Sequence, residues 1–227
     1  MKKAVLFDLG NTLVRYYERW EFPSLLERGI AQAARHLEED GLLRVGSDAI
    51  RERVAAENHE AADCRVRPME ERLSRIFGID LLRALDLCSD FMEPIFQLGV
   101  VYEDSLPILQ ALRTRGVKTG VVSNTPWGCP AELWRKELHR RGLLTSLDVA
   151  VFCRDVGWRK PDRRIFDRAL QEVGVPAVEC LYVGGNPNWD RVGPVRAGIP
   201  SVLVERGDYS FDGGPSARDL RGILPYL

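Results

Sequence analysis

The sequence predicts an α/β protein: a parallel, doubly wound sheet of five strands, with a block of helices inserted after the first strand. Three observations carry that reading. Ala4-Val5-Leu6-Phe7 is an unbroken apolar run, as expected of a strand buried on both faces between layers of helices. From Asp104 onward, short apolar runs alternate with segments of helical periodicity, the pattern of right-handed βαβ crossovers. Between these two regions, residues 15–98 show helical spacing throughout and no strand-like run.

The elements follow in order. Leu26, Ile30, Ala33 and Leu37 recur at helical spacing, and Gly41 ends the helix. Ser47 is placed to cap a second helix carrying Ile50, Val54 and Ala61 on one face. Leu73, Ile76 and Phe77 mark a third, closed by Gly78, and Leu81, Leu85, Cys88, Met92, Ile95 and Phe96 a fourth. These helices define an inserted domain over 15–98, and residues 1–14 with 99–227 define the core domain. In the core, a helix bearing Leu106, Leu109 and Leu112 ends near Gly116 and leads into a strand over 117–122, which runs into Ser123-Asn124-Thr125. Pro130 opens a helix with Trp134 and Leu138 one turn apart. A strand over 149–152 follows, then an amphipathic helix through Ile165, Phe166, Ala169, Leu170 and Val173 ended by Gly174. Strands over 180–183 and 201–204 complete the five.

Composition narrows the functional classes. With 32 Lys and Arg against 33 Asp and Glu, the formal charge is -1, so no global affinity for nucleic acid or a membrane surface is expected. No stretch approaches a membrane span, and Met1-Lys2-Lys3 leads into a short strand rather than a signal-peptide core. Cys64, Cys88, Cys129, Cys153 and Cys180 are scattered and form no CxxC pair; they read as reduced thiols of a cytoplasmic protein.

Ligands of doubly wound sheets bind at the carboxyl ends of the strands. The residues at those ends are Asp8, Ser123 with Asn124, the segment 154–160, and the glycine-rich turn 184–190 ending in Asp190. Asp8 either caps its βα turn or serves as a nucleophile or hard-cation ligand; Gly10-Asn11 beside it tolerate positive φ. A carboxylate, a hydroxyl, a cation and a second carboxylate together suit a phosphate and a hard cation.

The segments VLFDLGNTL, VVSNT, RKPDRRIF and YVGGNPNWDRVGPVRAGIP resemble, in this order, the four motifs of the haloacid dehalogenase superfamily. The helical block after the first is similar to that family's helical cap of the first type. The resemblance spans nearly the whole chain. It implies a Rossmann-like core and a nucleophilic aspartate that forms an acyl-phosphate, which water hydrolyses. Most members are Mg²⁺-dependent phosphatases and a minority are metal-free dehalogenases; for this chain the resemblance implies a phosphatase of a small phosphorylated metabolite. By position, Asp8 is the nucleophile, and Ser123 orients the phosphate together with Asn124 and the backbone at Leu9 and Gly10. Lys160 offsets negative charge, where otherwise it is a surface lysine at a helix start. Asp8, the Gly10 carbonyl and Asp190 hold Mg²⁺.

Two departures bear on mechanism. Phosphatases of the family carry a second Asp two residues after the nucleophile, as general acid and base; here that residue is Gly10, and losing such a group costs ~10²–10⁴-fold. The fourth motif usually begins Gly-Asp, its Asp binding Mg²⁺, whereas this chain has Gly184-Gly185. A thinner metal site follows, and with it the alternative of a catalytically impaired phosphate-binding or regulatory protein. Asn186 and Trp189-Asp190 resemble the dehalogenase pattern at a different spacing, which gives a second alternative. Tyr16, Tyr17, Trp20 and Trp127 are expected either to pack cap against core or to touch substrate. Arg154 and Asp155 are expected to pair locally beside Lys160, and His36, His59 and His139 to lie on the surface.

Overall fold

The computed structural model of the chain describes residues 1–57, 63–206 and 213–227; the expectations for Ala61 and His59 lie outside them. The principal sheet contains β1 (Ala4–Phe7), β4 (Lys118–Ser123), β5 (Val149–Phe152), β6 (Cys180–Gly184), β7 (Ser201–Val204) and β8 (Ser216–Ala217). Their spatial order is β5-β4-β1-β6-β7-β8, and every pairing is parallel. Among the described residues the sheet therefore has six strands rather than five. The added β8 is a two-residue edge pairing Ser216 and Ala217 with Leu203 and Val204, too short and too polar to stand out as an apolar run.

β1 is the central strand. Phe7 is in register with Val121 on one side and Val183 on the other, so the next residue, Asp8, emerges where three strand ends meet. Alternate side chains serve opposite faces: Val5 and Phe7 enter one apolar cluster, Ala4 and Leu6 the other. Both faces are covered, which explains why β1 shows no polar alternation.

The inserted region holds α1 (Phe22–Glu39), α2 (Ser47–Ala56), α3 (Met69–Phe77) and α4 (Leu81–Phe96). Ser47 is the first residue of α2 rather than its cap, a position taken by Gly46. Asp80 caps α4 by accepting from the Arg83 N–H, and Gly78, at φ 68°, closes α3 in the left-handed conformation. A short antiparallel ribbon not foreseen from sequence, β2 (Val14–Arg15) with β3 (Val100–Val101), brings the chain out to these helices and back. The core is completed by α5 (Ser105–Thr114), α6 (Ala131–Arg140), α7 (Cys153–Val156), α8 (Arg163–Val173) and α9 (Gly193–Arg196). Among the described residues no helix is long and apolar enough to cross a membrane.

Gly29 lets α1 approach α4 closely: a Cβ there would lie 2.8 Å from the Phe91 carbonyl oxygen and 2.9 Å from its ring. Gly29→Ala is therefore expected to destabilise the protein by about 1–3 kcal/mol despite alanine's better helix propensity. A urea melt checks this; equal or greater stability would show that the two helices separate without cost.

Candidate active site

Asp8 is held from two sides. Ser123, the last residue of β4, donates its hydroxyl to Asp8 Oδ1 at 3.0 Å, and the Lys160 ammonium donates to the same oxygen at 2.7 Å. Asp8 is buried, at 9% exposure. Among the described residues no hydrogen bond reaches its other oxygen, Oδ2. After Asp8 the chain turns tightly: the Leu13 and Val14 amides donate to the Leu9 carbonyl, and Asn11 adopts φ 56°. Gly10 stays outside the positive-φ region and is exposed, so only the second of the two turn residues uses the left-handed conformation. Asn11 locks the turn, donating to the Tyr17 carbonyl at 2.9 Å and accepting from the Tyr16 amide at 3.2 Å.

Lys160 lies beneath Asp8, at 2% exposure. Its backbone is gripped by Asn124, whose Oδ1 accepts from the Lys160 N–H at 2.8 Å and whose Nδ2 donates to the Lys160 carbonyl at 3.3 Å. Asn124 thus orients the lysine through its main chain, and that explains why an amide follows Ser123. The ammonium donates to Asp8, to Asp190 Oδ1 at 2.7 Å and to the Tyr182 hydroxyl at 2.9 Å. Burial works to lower the Lys160 pKa, but Asp190 and Asp8 outweigh it and hold the ammonium above the usual lysine value.

Asp190, expected as a cation ligand, is turned toward Lys160. It is fully buried, its Oδ1 bound by Lys160, and its Oδ2 accepts from the Asn186 N–H at 2.8 Å. Burial pushes it up to about 6 against the pull of Lys160. Asp190 belongs to the turn Pro187–Val192, a π-helical segment that accommodates an extra residue and swings this carboxylate inward. Asn186 spends its side-chain oxygen on the amides of Asn188 and Trp189, capping that turn.

Two positions bear on a hard cation. Among the described residues no three His, Cys, Asp or Glu side chains gather as a metal site. The Asp8 carboxylate and the exposed Gly10 backbone fit a cation that keeps several waters and takes its remaining ligands from a phosphate. Asp190 is fully buried, with Oδ1 on the Lys160 ammonium and Oδ2 on the Asn186 amide, so a cation there would share these oxygens with both. A Cβ at Gly185 would lie 3.4 Å from the Asn11 carbonyl oxygen and 3.8 Å from Thr12 Oγ1, so a side chain there would face the Asp8 turn.

The inserted helices roof this end of the sheet. Cys64–Val66 runs against Gly157–Arg159, the Val66 amide donating to the Gly157 carbonyl at 3.0 Å and the Arg159 amide to the Cys64 carbonyl at 2.8 Å. Trp127 reaches up between Phe91, stacked at 5.2 Å, and the Arg72 guanidinium, 5.0 Å from its ring centre. Tyr16 packs edge-on against Trp134 at 5.4 Å and Tyr17 stacks on Phe22 at 5.8 Å, whereas Trp20 is exposed at 77%. Three of these four aromatics therefore have packing roles. Arg154 and Asp155 do not pair with each other: Arg154 bonds Glu70 of α3 at 2.6 Å, and Asp155 bonds Arg135 at 2.7 Å while capping α7 through the Phe152 amide. Neighbours on a helix point apart, so their adjacency in sequence was misleading. His139 is exposed and His36 half-buried, near Asp40 and Asp90.

Tyr182 is the site residue that sequence reading passed over. It sits inside an otherwise apolar strand and so reads as core. The available signal is its hydroxyl, since a buried tyrosine needs a polar partner.

Fold and site together describe an α/β enzyme core with a carboxylate at the end of its central strand, covered by a helical insert. The chain belongs to the haloacid dehalogenase-like hydrolases, whose family match covers residues 2–198, as the four motifs led us to expect. It is 30% identical over 219 residues to a glyceraldehyde 3-phosphate phosphatase of Methanopyrus kandleri, covering 92% of this chain and 86% of that one. It is 29% identical over 218 residues to a phosphoglycolate phosphatase of Rhodospirillum rubrum, covering 91% and 81%. A 2-haloacid dehalogenase from Pseudomonas syringae pv. Tomato DC3000 shares the fold at a TM-score of 0.68 with 22% identity, covering all of this chain.

Proposed function

We propose that the protein is a phosphatase of small phosphorylated metabolites, with Asp8 as nucleophile. The observation that carries this reading is the asymmetry of the Asp8 carboxylate: Oδ1 is fixed by Ser123 and Lys160, while no hydrogen bond among the described residues reaches Oδ2. Relatives named for glyceraldehyde 3-phosphate and phosphoglycolate support the substrate class. In the first step Asp8 Oδ2 attacks phosphorus, the ester P–O bond breaks, and the leaving oxygen takes a proton from water, since Gly10 offers none. In the second, water attacks the acyl-phosphate, releasing inorganic phosphate and restoring the carboxylate. The Leu9 and Gly10 amides, which donate to no backbone carbonyl among the described residues, are available to phosphoryl oxygens, and the Ser123 hydroxyl would join them by turning its proton from Asp8.

Mg²⁺, used generally by phosphatases of this family, would be held here by Asp8 and the Gly10 carbonyl and would offset charge on the phosphoryl oxygens. Residues 15–98 form the cap that selects substrate, and 1–14 with 99–227 the catalytic core. The five cysteines, none of them in a disulfide, support a reducing, cytoplasmic setting. The test is a panel of phosphate monoesters with and without Mg²⁺, run beside a chloride-release assay on 2-haloacids. Phosphate release supports the reading. Chloride release alone, or phosphate binding without turnover, would replace it with the dehalogenase or the binding-protein alternative.

The two glycines give a separate expectation. A Cβ at Gly10 would meet nothing within 4 Å, and neither Gly10 nor Gly185 has positive φ, so both accept a side chain without backbone strain. Gly10→Asp is expected to raise turnover by about tenfold or more, most for substrates with poor leaving groups, by supplying the missing proton donor. Gly185→Asp is expected to tighten Mg²⁺ binding, read by calorimetry, because it adds an oxygen ligand facing the Asp8 turn. A folded Gly185 variant with parent-like affinity would place the cation elsewhere.

A further inference from the structure

We propose that Tyr182 is a positioning residue for this reaction: its phenol oxygen is the third acceptor that keeps the Lys160 ammonium turned onto Asp8. An ammonium has three protons, and here all three have partners: Asp8 Oδ1 at 2.7 Å, Asp190 Oδ1 at 2.7 Å and the Tyr182 oxygen at 2.9 Å. The tyrosine's single proton goes to the Val122 carbonyl at 2.9 Å, leaving its lone pairs for the lysine. Its oxygen also lies 3.2 Å from Asp190 Oδ1, and with the proton committed to Val122 it cannot bond that carboxylate as well. The ring is fixed edge-on against Phe166, centroids 5.3 Å apart, in the middle of β6.

The consequence lies in the balance between the two carboxylates. The Asp190 side chain is fully buried, whereas that of Asp8 is 12% exposed, so water weakens the attraction of Asp8 and not that of Asp190. Two acceptors alone would let the ammonium settle toward Asp190 and away from the reacting carboxylate. The phenol oxygen, a neutral acceptor fixed by its own bond to the sheet, holds the third direction and stops that drift. Lys160 thereby serves chiefly to orient and offset the charge of Asp8.

The kinetic half of the test rests on the phosphatase reading, and the spectroscopic half does not. The chain has five lysines, and of these Lys2, Lys3, Lys118 and Lys136 are exposed or half-buried, so ¹⁵N-lysine labelling should give one ammonium signal protected from water, that of Lys160. In Tyr182→Phe that ammonium is expected to exchange with water about tenfold faster. On p-nitrophenyl phosphate, kcat is expected to fall about tenfold with KM changed by less than about twofold. Unchanged exchange, or parent-like kcat in the folded variant, overturns the proposal. Should Tyr182→Phe fail to fold, 3-fluorotyrosine at position 182 keeps the packing with a weaker acceptor and must move exchange in the same direction. A parent inactive on every phosphate ester would remove the phosphatase reading, and the exchange rate alone would then decide the role of Tyr182.

Discussion

Asp8→Asn is expected to lower turnover by on the order of 10⁴-fold or more while the protein stays folded. The amide keeps the volume of the carboxylate and can still accept from Ser123 and Lys160, the two groups that hold Asp8 Oδ1. It cannot attack phosphorus as a charged oxygen. Lys160 also retains Asp190, so no buried cation is left unpaired and only a small shift in melting temperature should follow. Steady-state kinetics and a thermal melt on the same preparation separate the two effects. Parent-like turnover in the variant would end the covalent mechanism.

Lys160→Ala should fail differently, through both stability and chemistry. Asp190 is fully buried and Asp8 nearly so, and Lys160 is the cation that joins them. Removing it leaves two carboxylates facing an empty space, and breaking such a buried pair costs about 3–5 kcal/mol. For a chain of this size that corresponds to a fall in Tm of roughly 6–20 °C. The two carboxylates will also resist being charged together, so the variant should recover stability at low pH. The sign follows from the parent: burial already raises Asp190 to about 6, so its carboxyl favours the folded state below the unfolded value near 3.8, and that contribution is lost as pH rises through about 6. Without Lys160 the loss should be larger. A variant with parent-like Tm at neutral pH would mean that the ion triad contributes nothing to folding.

Much of the architecture is legible in the sequence because parallel strands buried on both faces are continuous apolar runs. β1, β5, β6 and β7 announce themselves this way, and β4 does so only through Val121-Val122. What stays hidden is held by pairing rather than by burial of side chains. β8 and the β2–β3 ribbon are two-residue strands, defined by their partners and invisible as patterns. The site divides similarly. Asp8, Ser123, Lys160 and Asp190 stand out as polar residues at strand ends, and the structure brings all four together. The direction in which Asp190 faces depends on a π-helical turn whose register no local pattern reveals. Tyr182 is hidden for the opposite reason, since an aromatic ring in a buried strand looks like packing until its hydroxyl is given partners.

The central place of β1 has a consequence for biosynthesis. Ala4 pairs with Lys118 on one side and Cys180 on the other, so the strand leaves the ribosome long before either neighbour exists. At translation rates of roughly 5–20 residues per second, it waits on the order of ten seconds for its first partner. The helices α1 to α4 emerge in that interval and can pack on one another, while the apolar strand beside them has no sheet to join. β1 is thus exposed to chaperones and to wrong partners for longer than any other described strand, and Asp8 gains its surroundings only when the turn carrying Asp190 has been made.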